Sequence, residues 1–100
     1  MAFHISFTAT AAEQIRAFRR FEQEVILNAV EEQLCHEPAI ETRNRKRLGE
    51  NPLSDGELRI GHYRVFYDVV VEVESSLVKV KAVGYKNHSV LYVGGVEVRL

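Results

Sequence analysis

The stretch GHYRVFYDV, residues 61–69, opens the segment YRVFYDVVVEV at 63–73, which alternates with a period of two. Tyr63, Val65, Tyr67, Val69, Val71 and Val73 fall on one side of an extended chain, so that side is expected to be the buried one. Arg64, Asp68 and Glu72 then point the other way. In the next apolar segment, LVKVKAVGY at 77–85, Val78, Val80 and Ala82 have core parity, leaving Lys79 and Lys81 on the outer face with Arg64. If Val73 pairs with Val78 across the intervening turn, Arg64 lies opposite Asn87, and the end of the second strand arrives beside the arginine. An arginine on a strand is ordinarily a solvated residue; this neighbourhood raises the question of a function. Strict alternation after Lys81 turns Lys86 toward the core, so a bulge or turn following Gly84 is expected to aim it outward.

Upstream of this pair, LRI at 58–60 and a Gly61-His62 turn supply a third antiparallel strand, and LGENPLSDG at 48–56 carries the turn formers of a loop. Downstream, SVLYVGGVEVRL alternates on both sides of Gly94-Gly95, a hairpin signal that adds a short edge strand. At the other end of the chain, FHISF sets Phe3, Ile5 and Phe7 against His4 and Ser6, as a strand with one buried face does. Thr8 or Thr10 offers a helix cap, with Glu13 three residues after Thr10 in the spacing of a capping box. Ile15 and Phe18 form the apolar side of a first helix; Phe21, Val25, Ile26, Ala29, Val30 and Leu34 form that of a second. The phase slips around Arg19-Arg20, so two helices are expected, the second stopped by Pro38. The result is an α+β domain over residues 1–100: an N-terminal strand and helical hairpin packed on a twisted, mainly antiparallel sheet of four to five strands.

Composition bounds the function. The chain is 46% apolar, enough for a single packed core, and has no apolar run of membrane-spanning length or secretory-signal pattern at its start; a cytoplasmic protein without membrane contact is expected. Cys35 is the only cysteine, so it forms no internal disulfide and no thiolate metal site; it reads as a small core residue. The net charge of -1 is unevenly spread: three Lys/Arg against seven Asp/Glu in residues 1–42, ten against seven in residues 43–100. The densest basic run, RNRKR at 43–47, reads as a solvated loop or helix end, or as a surface for phosphate.

Two segments in this order, LRIGHYRVFYDV and AVGYKNHSVLY, resemble the RelE/ParE superfamily of bacterial toxins from type II toxin-antitoxin systems. The first is similar to its Leu-Arg, small residue, Tyr-Arg-Val, Tyr pattern; the second is similar to its Val-Gly, basic cluster, Val-Tyr ending. The resemblance spans about residues 3–93 and implies a RelE-like fold. It implies endonucleolytic cleavage of messenger RNA in the ribosomal decoding site, with no metal and no cofactor, by attack of a ribose 2′-hydroxyl on the adjacent phosphorus.

The implied catalytic set is Arg64, Lys86 and Tyr92, with His88 between the last two. A guanidinium matches phosphate oxygens in pairs, a lysine adds a second charge, and imidazole is the side chain that moves protons near neutrality. Tyr92 would act with help from neighbours or by stacking on a base; otherwise it caps the core, as His88 is otherwise an exposed loop histidine. The cations expected to hold RNA are Arg43, Arg45, Lys46, Arg47, Arg59, Lys79 and Lys81.

One departure matters. Ribosome-dependent members present lysines just before the central arginine, where this chain has Asp55 and Glu57, which weakens the generic hold on phosphate. A ParE-like poison of DNA gyrase, acting by binding, or a degenerate homologue that only binds antitoxin, are the alternatives. All three imply a cognate antitoxin whose disordered segment folds onto the toxin, at the outer side of the helical hairpin or at the edge near VGGVEVRL.

Overall fold

The structure is a computed structural model and describes residues 3–51, 53–72 and 75–100. The elements in chain order are β1 (His4–Phe7), α1 (Ala9–Arg16), α2 (Arg20–Leu34), β2 (Arg45–Arg47), β3 (Gly56–Ile60), β4 (Tyr63–Val71), β5 (Ser76–Asn87), β6 (Val90–Val93) and β7 (Val96–Val98). All seven strands join one sheet in the order β2-β3-β4-β5-β6-β7, with β1 alongside β5. The α+β architecture is as expected, with more strands than the four to five read from the sequence. β5 is long enough to hold two neighbours on one edge. Its first half takes β1 in parallel, from His4 opposite Leu77 to Phe7 opposite Val80, and its second half takes β6 antiparallel.

The C-terminal hairpin gives two strands, β6 and β7, where one was expected, and the other added strand is β2. Arg45–Arg47, inside the run expected to be a loop or helix end, pairs with β3 as an edge, where charged side chains protect open backbone groups from further pairing. Leu48–Gly56 remains mostly loop, with Gly56 opening β3.

One face of the sheet carries the main core. Leu58, Val65, Tyr67, Val78, Val80 and Val83 pack against Ala11 and Ile15 of α1 and Ile26, Val30 and Leu34 of α2. Ile26, Val30 and Leu34 recur every four residues, the stripe of an amphipathic helix. Phe21 and Val25, read as part of the apolar side, instead face solvent at 61% and 45% exposure, because the buried stripe passes through Ile26. The cap of α1 is Thr8 and not Thr10: its hydroxyl accepts from the Ala11 N–H at 3.1 Å. Cys35 follows α2 as its C-cap and is half-buried.

The register between β4 and β5 differs from expectation. Val78 lies opposite Val69 and Arg64 opposite Gly84, so the two strands turn earlier than the Val73–Val78 pairing requires; Val73 itself lies outside the described residues. Burial also fades along β4: Val69 is half-buried and Val71 is 72% exposed. A β-bulge at Lys81 lies where Phe66 faces Ala82 and Tyr67 faces Val80. The extra residue flips parity, so Ala82 leaves the helix-covered face and Val83 takes its place there. This bulge precedes Gly84, not follows it, and turns Lys86 outward. α1 satisfies the irregular backbone: Thr8 donates its hydroxyl proton to the Lys81 carbonyl at 3.3 Å, and Gln14 Oε1 accepts from the Val83 N–H at 2.8 Å.

Candidate functional site

The face away from the helices has a small core of its own. Phe66, Ala82, Leu91 and Val93 are buried there, with Leu48, Leu53 and Val98 packed around them. This cluster forms the floor beneath a row of charged groups. Glu57 is opposite Phe66, Arg59 opposite Arg64, Arg64 opposite Gly84, and Lys86 opposite Leu91, so all four charged residues have the parity of the second cluster. A groove of about 450 Å³ opens over this floor, bounded by Glu57, Arg59, Lys86, Glu97 and Arg99. Arg64 flanks it as the direct cross-strand neighbour of Arg59.

Gly84 sets how close these strands come. A Cβ at this position would run into the Tyr92 carbonyl oxygen and the Val93 side chain, so a side chain cannot be accommodated beside Arg64 without moving β6. Arg64 Nη1 donates to the carbonyls of Gly61 at 2.7 Å and Tyr63 at 2.8 Å, which tether the fork to the β3–β4 turn. Its Nε is enclosed and has no hydrogen-bond partner among the described residues, and no carboxylate there forms an ion pair with it. Desolvation lowers its pKa, partly offset by the charge of Glu57 and reinforced by that of Arg59. Arg59 is bound to Glu57, Nε to Oε1 at 2.9 Å, and Glu57 is only 4% exposed.

Lys86 shares this face, and its N–H donates to the His62 carbonyl at 2.7 Å, which ties the end of β5 to the turn that holds Arg64. His88 and Ser89 form the β5–β6 turn with φ of 51° and 68°, left-handed conformations in which non-glycine residues are uncommon. His88 is exposed at the tip of that turn and does not line the groove.

Tyr92 does not join them. It lies opposite Tyr85 and stacks on it, ring centroids 5.4 Å apart, on the helix-covered side of the sheet. Phe18 from the α1–α2 junction meets Tyr63 edge-on at 5.6 Å and Tyr85 at 6.2 Å. The Tyr63 hydroxyl donates to Glu22 Oε2 at 2.6 Å, while Glu22 Oε1 accepts from the Arg19 N–H at the start of α2. Burial and this bond raise the Tyr63 phenol to about 12, and the same bond lowers Glu22. The expected convergence of Arg64 and Tyr92 is therefore corrected: alternation along β6 sends Leu91 and Val93 to the outer face and Tyr92 to the other.

The remaining cations divide. Lys81 pairs with Asp68 at 3.3 Å on the outer face, and Lys79 lies opposite Asp68 in register. Lys46 lies opposite Glu57 on the same face. Arg45 turns to the helix side, where Nη1 donates to the carbonyls of Gln33 at 2.6 Å and His36 at 3.1 Å, a cation at the C-terminal end of α2. Arg47 has the same parity as Arg45 and lines a separate hollow with Ile40 and Tyr67. Arg43 is exposed in the loop before β2. RNRKR is thus no single patch. Among the described residues, no group of three or more His, Cys, Asp or Glu side chains is arranged to hold a metal, and no helix there is long and apolar enough to cross a membrane.

Sequence reasoning missed Phe66 and Glu57. Phe66 breaks the alternation of VFY with apolar residues at both parities, the mark of a strand covered on both faces. Glu57 was read as a charge reversal; its burial follows from lying over Phe66 in β4.

Neither a protein-family model nor a curated protein matches the sequence. Among solved structures, the chain is similar to one in the crystal structure of the toxin-antitoxin complex RelBE2 from Mycobacterium tuberculosis. The TM-score is 0.70 at 21% identity, over 86% of this chain and 93% of that one. The likeness supports the RelE-like fold implied by LRIGHYRVFYDV and AVGYKNHSVLY.

Proposed function

We propose that this chain is the toxin of a type II toxin-antitoxin pair and that its outer sheet face cleaves messenger RNA on the ribosome. The observation that carries the reading is Arg64: a half-buried guanidinium, unpaired with any carboxylate among the described residues, at the margin of a groove that also holds Lys86. An RNA phosphate in the groove supplies acceptors for the Arg64 N–H donors that the turn carbonyls leave free, and low local dielectric strengthens the attraction.

In the reaction, the 2′-oxygen attacks the adjacent phosphorus and the bond from phosphorus to the 5′-oxygen breaks, leaving a cyclic phosphate and a free 5′-hydroxyl. Arg64 and Lys86 offset the charge that develops on the phosphate oxygens. His88, two residues after Lys86 on the exposed β5–β6 turn and outside the groove lining, is the candidate for proton transfer to RNA that reaches past the groove. Lys46, Arg59, Lys79 and Lys81 extend the cationic track for RNA, with Arg59 and Lys81 partly neutralised by Glu57 and Asp68. The partner is an antitoxin segment that covers the exposed Phe21 and Val25 on α2.

The experiment is to map transcript ends after induction in cells. Cuts inside translated codons with the natural sequence, and none with Arg64→Ala, are expected; intact messages with the natural sequence would overturn the nuclease reading. A second reading, a gyrase poison acting by binding alone, is favoured by one observation: Tyr92 stacks on Tyr85 on the opposite face from Arg64. Arrested supercoiling with purified gyrase and no RNA cuts would select it.

A further inference from the structure

The outer edge of the sheet is formed by β7, which carries the exposed Val96, and two residues beyond its end lies the exposed Leu100, at 65% and 55% exposure. Val96 shares the parity of Val98, which packs on the Phe66 cluster, and Leu100 lines the same groove as Val98 and Leu91, so this cluster runs out to uncovered apolar side chains at the edge. Glu97 and Arg99 alternate with these side chains and hold each other at 3.3 Å along the chain, with the Arg99 side chain 90% exposed.

From this pattern we infer that residues 96–100, β7 and the two residues after it, pair antiparallel with the same segment of a second copy of this chain, about a two-fold axis through Val98. In that register Val98 meets Val98, Val96 meets Leu100, and Glu97 meets Arg99 twice. The neighbouring registers fail this match: centring on Glu97 opposes two carboxylates, centring on Arg99 opposes two guanidinium groups, and the half-steps between set charges against apolar residues. This register, which matches both charges as well as the apolar residues, extends the apolar side chains across the axis and covers the open backbone edge of β7. Both groove-bearing faces then lie on one continuous sheet. The pairing involves about five residues from each copy, well short of a standard interface, so the dimer is weak and depends on concentration.

Charge reversal tests it without disturbing the fold, because both residues are on the exposed edge; circular dichroism checks that the variants remain folded. Sedimentation equilibrium of the chain alone is expected to show a concentration-dependent dimer. Glu97→Arg and Arg99→Glu each place like charges opposite one another twice, which weakens the dimer roughly tenfold or more. An equimolar mixture of the two variants restores Glu-Arg pairing at both positions and is expected to form a heterodimer. A chain that stays monomeric at high concentration, or a dimer indifferent to both reversals, would overturn the proposal. So would β7 amides protected from hydrogen exchange only when an antitoxin is added, since the edge would then belong to that partner.

Discussion

The two faces of β4 carry different kinds of core. Toward the helices, Val65 and Tyr67 enter a cluster fed by five elements, α1, α2, β3, β4 and β5, and no charged side chain among the described residues is buried in it. Away from the helices, Phe66 is as completely buried, yet its neighbours are few and it lies beneath Glu57 and beside the row that contains Arg64. The first face holds the fold together; the second uses a minimal apolar floor to keep charged groups at fixed height. A guanidinium on a floppy surface costs side-chain entropy each time it engages a ligand, whereas one fixed by turn carbonyls has met part of that cost beforehand.

The contrast is broken most directly by truncating each core. Phe66→Ala is expected to lose about 3–5 kcal/mol and Leu58→Ala about 2–5 kcal/mol in urea unfolding. A loss near zero at Phe66 would show that the outer face is only a surface. Next in size, Gly84→Ala is expected to cost roughly 1–3 kcal/mol, because β6 must shift away from the new methyl group. If that variant is as stable as the natural chain, the close approach of β5 and β6 beside Arg64 is relaxed.

The smallest effect is a pH dependence confined to the helix-covered side. Glu22 is lowered by the Tyr63 hydroxyl, so its contribution is present above the ordinary carboxylate range and is lost as pH falls through and below that range. Tyr63 is raised from 10.0 to about 12, so its contribution is complete below 10 and is lost as pH rises toward 12. Tyr63→Phe should flatten both limbs of the melting-temperature profile. An unchanged profile would remove this bond from the account.

How much of this was readable in the residues alone depends on the kind of signal. Alternation in YRVFYDV identified Tyr63, Val65 and Tyr67 as core because a strand's side chains repeat every two residues, and the Gly61-His62 and Gly94-Gly95 turns follow from backbone freedom. The bulge at Lys81 carries no such mark: one unpaired residue changes every parity after it without altering composition. That error moved Ala82 to the wrong face and obscured how Lys86 comes outward. Tyr92 was grouped with Arg64 by the order of residues in the motif, whereas its direction is set by alternation with Leu91 and Val93. RNRKR looked like one basic surface, yet its strand alternation separates Lys46 from Arg45 and Arg47.

The division of labour between the faces is tested most directly by message cleavage on purified, programmed ribosomes, with the chain freed from any partner. Arg64→Ala and Lys86→Ala are expected to slow cutting by roughly 100-fold or more, and Tyr92→Phe to leave the rate within a fewfold of the natural chain. Full cleavage by Arg64→Ala, or a loss in Tyr92→Phe as large as that from the outer-face cations, would contradict the assignment of the chemistry to the outer face.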